Sequence, residues 1–367
     1  MGVFFSIVRN SVLGLVTVTA LVLFFVFVSD NRDSASDYLE NRVPLPDAAA
    51  IVTTAPEEGW TKENFLGSEL PHLGVSFGAA VDEVDEYALL AGHEVSTSLF
   101  FKTWANHSDF KRYEFTRLMR RGIVPVLSWE PWDNQAGLIQ PEYSMDEIAG
   151  GRHDDFVRSW ARDIATLESP VVLRFAHEMN GHWYPWSAYR NGNSPEAYVR
   201  AWRHLHQVFE EEGASNVIWC WSVNVNRFLP NRPFESYYPG DDFVDVIGIS
   251  GYSVREDDDF VTVYGTTFDE LAELTEKPVL VTEIGVGGNR ETRPSRIESL
   301  LTGLATDPTV IGYVWFQKSK REDWKIDATS ETLRAYRASA EAFSRDWLST
   351  RNPPEEIQDR VASLGFE

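Results

Sequence analysis

The chain has 367 residues, 43% of them hydrophobic, which is ample for one large core, arranged as a single α/β barrel or as two smaller domains. A net charge of −23 excludes nucleic acid as a partner, because a nucleic-acid binder needs a basic stripe to displace counterions. One cysteine, Cys220, leaves no thiolate cluster for a metal, and an acidic surface on which lysine is scarce beside arginine suggests adaptation to high salt.

At the amino terminus, residues 11–29 form an uncharged apolar run, SVLGLVTVTALVLFFVFVS. Nineteen helical residues span about 28 Å, enough to cross a bilayer core. Residues 1–29 are therefore expected to be a signal anchor, or a signal peptide if cleaved near Ser34 or Ser36. Residues 30–58 mix Asp, Ser, Ala and Pro without an apolar face and read as a flexible linker. The remaining expected parts are a catalytic domain over 59–350 and a carboxyl-terminal tail over 351–367.

From residue 70 onward, short apolar runs alternate with amphipathic segments: HLGVSFG, EVSTSLFF, IVPVLSW, PVVLRFAHE, NVIWCWSV, FVDVIGISGY, KPVLVTEIG and VIGYVWF. These are eight candidate strands. The clearest intervening helix starts at Ser194 as N-cap, takes Pro195 into its first turn and stops at Gly213. Strand then helix, repeated eight times, is the pattern of a (β/α)8 TIM barrel, whose site lies at the carboxyl ends of the strands. An open doubly wound sheet would want a glycine-rich phosphate turn after its first strand, and GVSFGAA supplies none.

The densest chemistry follows the fourth strand, in RFAHEMNGHWYPW. A zinc reading fails on spacing: His177 and His182 are five apart, about 140° around a helix, with Gly181 between them. Read as a strand, the stretch puts Arg174, Ala176 and Glu178 on one face. The other strand ends offer Glu130, Tyr252, Glu283 and Trp315. Two glutamates on strands four and seven face each other across a barrel mouth, and carboxylates about 5 to 5.5 Å apart are what a retaining glycosidase uses. Arg174 and Tyr252 are placed to attend Glu283, and His177 and Trp183 to attend Glu178. Trp132 and Trp186 are expected to stack on sugar rings, and Glu130 to touch sugar.

The motifs VVLRFAHEMNGHWYPW, KPVLVTEIG and VWFQ…DWKID, in that order, with VPVLSWEPW and GGRHDDFVRSWARDI before them, resemble glycoside hydrolase family 26 over roughly residues 70 to 345. The resemblance implies Glu178 as acid/base and Glu283 as nucleophile, with Arg174, His177, Trp183, Tyr252 and Trp315 around the sugar at the point of cleavage. It implies an endo-β-1,4-mannanase first, with mixed-linkage β-1,3-1,4-glucanase and β-1,3-xylanase as alternatives. Mannan-cleaving members commonly carry an aspartate two residues before the strand-six tyrosine; here that position is Ser250, in a GISGY form closer to glucan-active relatives. A non-catalytic glycan-binding or exopolysaccharide-assembly protein on the same barrel is the rival of another class, but a binding module has no reason to keep both glutamates. The expected protein is a monomer tethered to the membrane by residues 1–29, facing outward, acting on a β-linked polysaccharide without metal or organic cofactor.

Overall fold

The computed structural model describes residues 55–77, 81–106, 109–188, 190–227, 233–351, 360–361 and 364–365. The apolar run 11–29 and the linker as far as Thr54 lie outside these residues, and no helix among the described residues is long and apolar enough to cross a membrane.

Each of the eight apolar runs contains one strand: β1 (His72–Val75), β2 (Thr97–Thr103), β3 (Val124–Glu130), β4 (Val171–Phe175), β5 (Val217–Asn224), β6 (Val246–Ser253), β7 (Val279–Val286) and β8 (Val310–Trp315). All pair in parallel in chain order, and β8 closes on β1 through His72 opposite Gly312. A short helix, α1 (Lys62–Leu66), precedes β1, capped by the Thr61 side chain on the Asn64 N–H. The outer layer holds α2 (Val81–Ala91), α3 (Arg112–Met119), α4 (Met145–Ala149), α5 (Asp154–Ala165), α6 (Pro195–Glu211), α7 (Thr266–Leu274), α8 (Arg293–Thr306) and α9 (Ser330–Ser349).

Helix α6 illustrates why these segments fold as they do. Its first turn is closed by Ser194 Oγ accepting from the Ala197 N–H, with Pro195 where a missing N–H costs nothing. Tyr198, Trp202, Leu205 and Phe209, three or four residues apart, bury one stripe against the sheet. Gly213, at φ 76°, ends it as expected. The eightfold alternation fails once: between β5 and β6 the described residues form only two 3-10 turns, Phe234–Tyr237 and Asp241–Phe243.

Inside the barrel, residues two apart along each strand point inward and build two floors of different chemistry. The lower floor is apolar, with Leu99, Val124, Val126, Val172, Ile218, Cys220, Val246, Leu280 and Val314 in one buried cluster, closed from below by Trp60 and Phe65. One step further along the strands, Ser128, Arg174, Ser222 and Ser250 take the same inward direction, all fully buried. Gly248 makes room for this crowding: a Cβ there would come within 2.6 Å of Ser222 Oγ and 2.8 Å of Cys220 Sγ.

The packed chain reaches past both expected borders of the catalytic domain. Ala55 already packs against the core cluster. In the tail, Leu364 is buried, its carbonyl accepting from the Glu94 N–H at 3.2 Å.

Candidate active site

Glu283 owes its position to an extra residue in β7. Opposite β6 the register steps from Gly248–Leu280 to Ser250–Glu283, and opposite β8 from Val281–Tyr313 to Ile284–Trp315, so over this stretch β7 carries one residue more than the strand on either side. Such a bulge re-aims the side chains that follow it. Here Thr282 bonds to Ser222 within the barrel, while Glu283 reaches the buried guanidinium of Arg174. Arg174 Nη1 donates to Glu283 Oε1 at 2.6 Å, and Tyr252 Oη–H donates to Glu283 Oε2 at 2.5 Å. The rest of the guanidinium is satisfied by serines: Nε donates to Ser222, Nη1 also to Ser128, and Nη2 to Ser250. An unpaired buried arginine would be costly. This one is held by one carboxylate and three hydroxyls.

Glu178 is not on the strand, contrary to the alternation expected for residues 174 to 178. Strand β4 ends at Phe175, and both Ala176 (φ 44°) and Glu178 (φ 55°) take left-handed backbone conformations that side chains other than glycine rarely adopt. The turn is anchored on both sides, by the Ala176 N–H on the Trp129 carbonyl and the Glu178 N–H on the Ser222 carbonyl. Local strain of this kind, held in place by its surroundings, is typical of functional sites. The Glu178 carboxylate then accepts from Trp183 Nε1 at 2.6 Å. Gly181 admits that indole, since a Cβ would lie 2.6 Å from the ring.

The two carboxylates approach so closely that an oxygen of each, together with a ring nitrogen of His177, lies within 4.8 Å of the others. Burial, and then the nearby charge of Glu283, raise the Glu178 carboxyl above its ordinary range, although Arg174, Ser250 and Trp183 oppose the shift. Burial, reinforced by Arg174 and Lys320, pushes His177 down, so its ring is neutral. A third carboxyl, Glu130, stands 4.0 Å from His177 Nε2 and accepts from Trp132 Nε1 at 3.2 Å. Burial pushes it up to about 7 against the pull of Trp132. His177, Glu178 and Glu283 are a metal-type donor set by proximity, but each is engaged: His177 by Tyr184, Glu178 by Trp183 and Glu283 by Arg174.

The structure thus gathers Glu178, Glu283, Arg174, His177, Trp183, Tyr252, Glu130 and Trp132 at the mouth. It places two expected sugar contacts elsewhere. Trp315 is wholly buried and faces outward, its ring 4.9 Å from Tyr336 of α9 and its N–H on the Trp324 carbonyl at 2.8 Å. Trp315 lies one residue beyond inward-facing Val314, so alternation turns it away from the barrel. Trp186 is also wholly buried, stacked on Tyr184 at 4.2 Å with its N–H on the His177 carbonyl. It supports the mouth from behind. The place beside Tyr252 belongs to Trp324, 4.7 Å away, and to Phe316, 5.6 Å away. Tyr184, half-buried against His177, is the other residue not singled out from the sequence. The DWKID motif held the signal for Trp324, but nothing in the strand pattern said that the loop folds back. A hollow of about 700 Å³ between α2, α3 and the chain near Ala55 holds neither glutamate.

Comparison with known proteins agrees with this geometry. The model of glycosyl hydrolase family 26 matches residues 130–295, a stretch that includes both glutamates. Endoglucanase H of Acetivibrio thermocellus is 29% identical over 290 residues, 74% of this chain and 31% of that protein. The β-1,3-xylanase TXYA of a Vibrio species is 25% identical over 247 residues, 66% of this chain and 49% of that one. The chain thus spans 31% to 49% of the length of these relatives, less than half of each. Among solved structures, a family 26 β-mannanase from Bacteroides ovatus superposes with a TM-score of 0.58 at 18% identity, covering 77% of this chain and 92% of that one, a likeness of fold. The resemblance to glycoside hydrolase family 26 is present in the family model, in the relatives and in the fold.

Proposed function

We propose that the protein is a retaining endo-acting glycoside hydrolase of β-linked polysaccharides, working by double displacement between Glu283 and Glu178. The observation that carries the reading is the separation of the two carboxylates, with oxygens within 4.8 Å. Retaining enzymes hold theirs about 5 to 5.5 Å apart, whereas inverting enzymes leave about 6.5 to 9.5 Å for a water.

In the first step a Glu283 oxygen attacks the anomeric carbon, the glycosidic C–O bond breaks, and the departing oxygen takes the proton of Glu178. In the second, water attacks the same carbon, Glu178 takes its proton, and the bond to Glu283 breaks. The raised carboxyl of Glu178 suits a group that must hold a proton when substrate binds. Arg174 and Tyr252, donating to both oxygens of Glu283, orient it for attack and receive its charge back when the intermediate collapses.

For the sugar, a β-glucan is the finer reading, ahead of the mannan that the sequence resemblance puts first. Ser250 Oγ is buried and accepts from Arg174, so it brings no charge to a sugar hydroxyl near an axial position. The endoglucanase relative spans most of this chain. The reading keeps residues 1–29 as anchor or cleaved signal on the strength of their length, with the barrel outside the membrane and acting as a monomer.

The test is the stereochemistry of the first product from lichenan, glucomannan, mannan and β-1,3-xylan, followed by NMR. A β-anomer is expected, with lichenan turned over fastest. Glu178→Gln should lower kcat/KM by about 10²- to 10⁴-fold, and Glu283→Gln should remove turnover. An initial α-anomer, or full activity in Glu283→Gln, sinks the mechanism.

A further inference from the structure

The loop between β8 and α9 is where the lysines of this chain collect. The sequence has seven, and three of them, Lys318, Lys320 and Lys325, fall within eight consecutive residues, with Arg321 among them. In a chain of net charge −23, such a cluster opposes the field of the rest of the molecule.

The loop is pinned against the mouth. Gln317 donates to Asp327 and accepts from the Ile326 N–H, and Trp324 lies against Tyr252, the donor to Glu283. The cations are thereby delivered to the wall of the cleft. Lys318 Nζ lies 5.5 Å from the ring centre of Phe101 and 5.8 Å from that of Phe316, while the charge of Lys320 bears on both Glu130 and His177. Among the described residues neither ammonium has a carboxylate within ion-pair distance, although Lys62 and Lys102 hold theirs at 2.7 and 2.6 Å. Nor do the loop's own acids serve them: Glu322 accepts from the Gly288 N–H, Asp323 from the Ser319 hydroxyl and Asp327 from Gln317. Lys318 is partly out of water, with the charges of Glu283 and Glu83 bearing on it only beyond ion-pair distance, while Lys320 stays exposed. Taking an ammonium partly out of water without a close counter-charge is unfavourable. A bound anion would offset that cost.

We propose that Lys318 and Lys320 form an anion-recognition wall, and that the polysaccharide cleaved here carries negatively charged substituents, carboxylate or sulfate, on sugars beside the point of cleavage. The proposal rests on the glycosidase reading and names its substrate class. An acidic protein repels a polyanion over most of its surface, so a local cation wall is the device that would let such a chain enter at this mouth and nowhere else. The attraction is one of exposed and half-exposed charges, and it fades as salt rises.

The experiment uses oligosaccharides of one mixed-linkage β-glucan backbone in three forms, neutral, carboxymethylated and sulfated at matched low substitution. Binding is measured to the full chain as Glu283→Gln, and turnover with the wild type. One or both charged forms should bind roughly fivefold tighter than the neutral one at low salt, with the preference shrinking toward 1 M salt; which form leads identifies the substituent. The double variant Lys318→Glu, Lys320→Glu should reverse the preference, and Lys318→Arg, Lys320→Arg should keep it. Equal binding of all three forms, no binding of any, or a preference untouched by charge reversal overturns the proposal. Preferential binding without turnover of any form sinks the glycosidase reading alone.

Discussion

The two floors of the barrel are lined by the same strands at positions two residues apart, yet they are held by different physics. On the lower floor, Val126, Val172, Cys220 and Leu280 exclude water and need only fill volume. On the upper floor, Ser128, Arg174, Ser222, Ser250 and Glu283 each depend on a particular partner at 2.5 to 3.2 Å. The lower floor should therefore lose stability on truncation and keep its chemistry, whereas the upper floor should lose both. Arg174→Met is the strongest test. It leaves a buried carboxylate and three hydroxyls without their cation, and breaking a buried pair from one side costs about 3 to 5 kcal/mol. Urea unfolding should report that loss together with the disappearance of turnover. A fall of less than about 1 kcal/mol would mean that the serines rearrange to satisfy Glu283.

The matching change below is Leu280→Ala. It opens a cavity in the plug, expected to cost about 2 to 5 kcal/mol depending on how far Trp60 and Phe65 relax. At a temperature where the variant is still folded, kcat/KM should stay within about threefold of wild type, because no bond to Arg174 or Glu283 is touched. A much larger drop would show that the floors are coupled.

Glu130 sharpens the contrast through pH. Its carboxyl is pushed from an ordinary 4.5 up to about 7, mainly by burial, so the folded protein holds a proton that the unfolded chain releases. The sign follows: its contribution to stability is present below pH 4.5 and is lost as the pH rises through about 7, on the order of 3 kcal/mol in all. Glu130→Gln cannot ionise. Relative to wild type it should be unchanged in melting temperature near pH 4 and more stable at pH 8, the gain growing across that window. A variant equally stable with wild type at pH 8 would show that water or Trp132 already compensates the charge. The stabilised variant should be poorer in substrate binding, as expected where a site stores strain for function.

How much of this could be read beforehand follows the same division. The eight strands and the closed barrel were legible because each strand is a short apolar run, buried on both faces, set between amphipathic segments. The glutamates were legible as strand-end acids. Their placement was not, because it comes from departures from regularity: the extra residue in β7 that turns Glu283, and the left-handed Ala176 and Glu178. No composition signal marks either, since both conformations belong to residues that disfavour them. Trp315 and Trp186 were misplaced for a related reason. A tryptophan near a mouth can point to sugar or to the helix layer, and only the register of Val314 and the stacking on Tyr184 decide which. The helix expected between β5 and β6 failed because PFESYYPGDDF carries prolines and short polar residues that suit 3-10 turns.

The smallest expected effect separates a positioning residue from filler. Ser128 accepts from Arg174 Nη1 at 2.9 Å, the nitrogen that also donates to Glu283 at 2.6 Å. Ser128→Ala removes one acceptor from a buried cation without opening space for a water of its own. A lost hydrogen bond to a charged group is worth about 1.5 kcal/mol, so unfolding should move by that amount. If the serine only fills volume, the activity does not change. If it fixes the angle of the guanidinium, Arg174 shifts on Glu283 and kcat falls severalfold with KM unaltered. Ser128→Thr, which restores the hydroxyl, should recover kcat even where packing stays imperfect. A kcat identical in wild type, Ser128→Ala and Ser128→Thr would place Ser128 with the lower floor, and would move the boundary between the two kinds of barrel interior up by one residue.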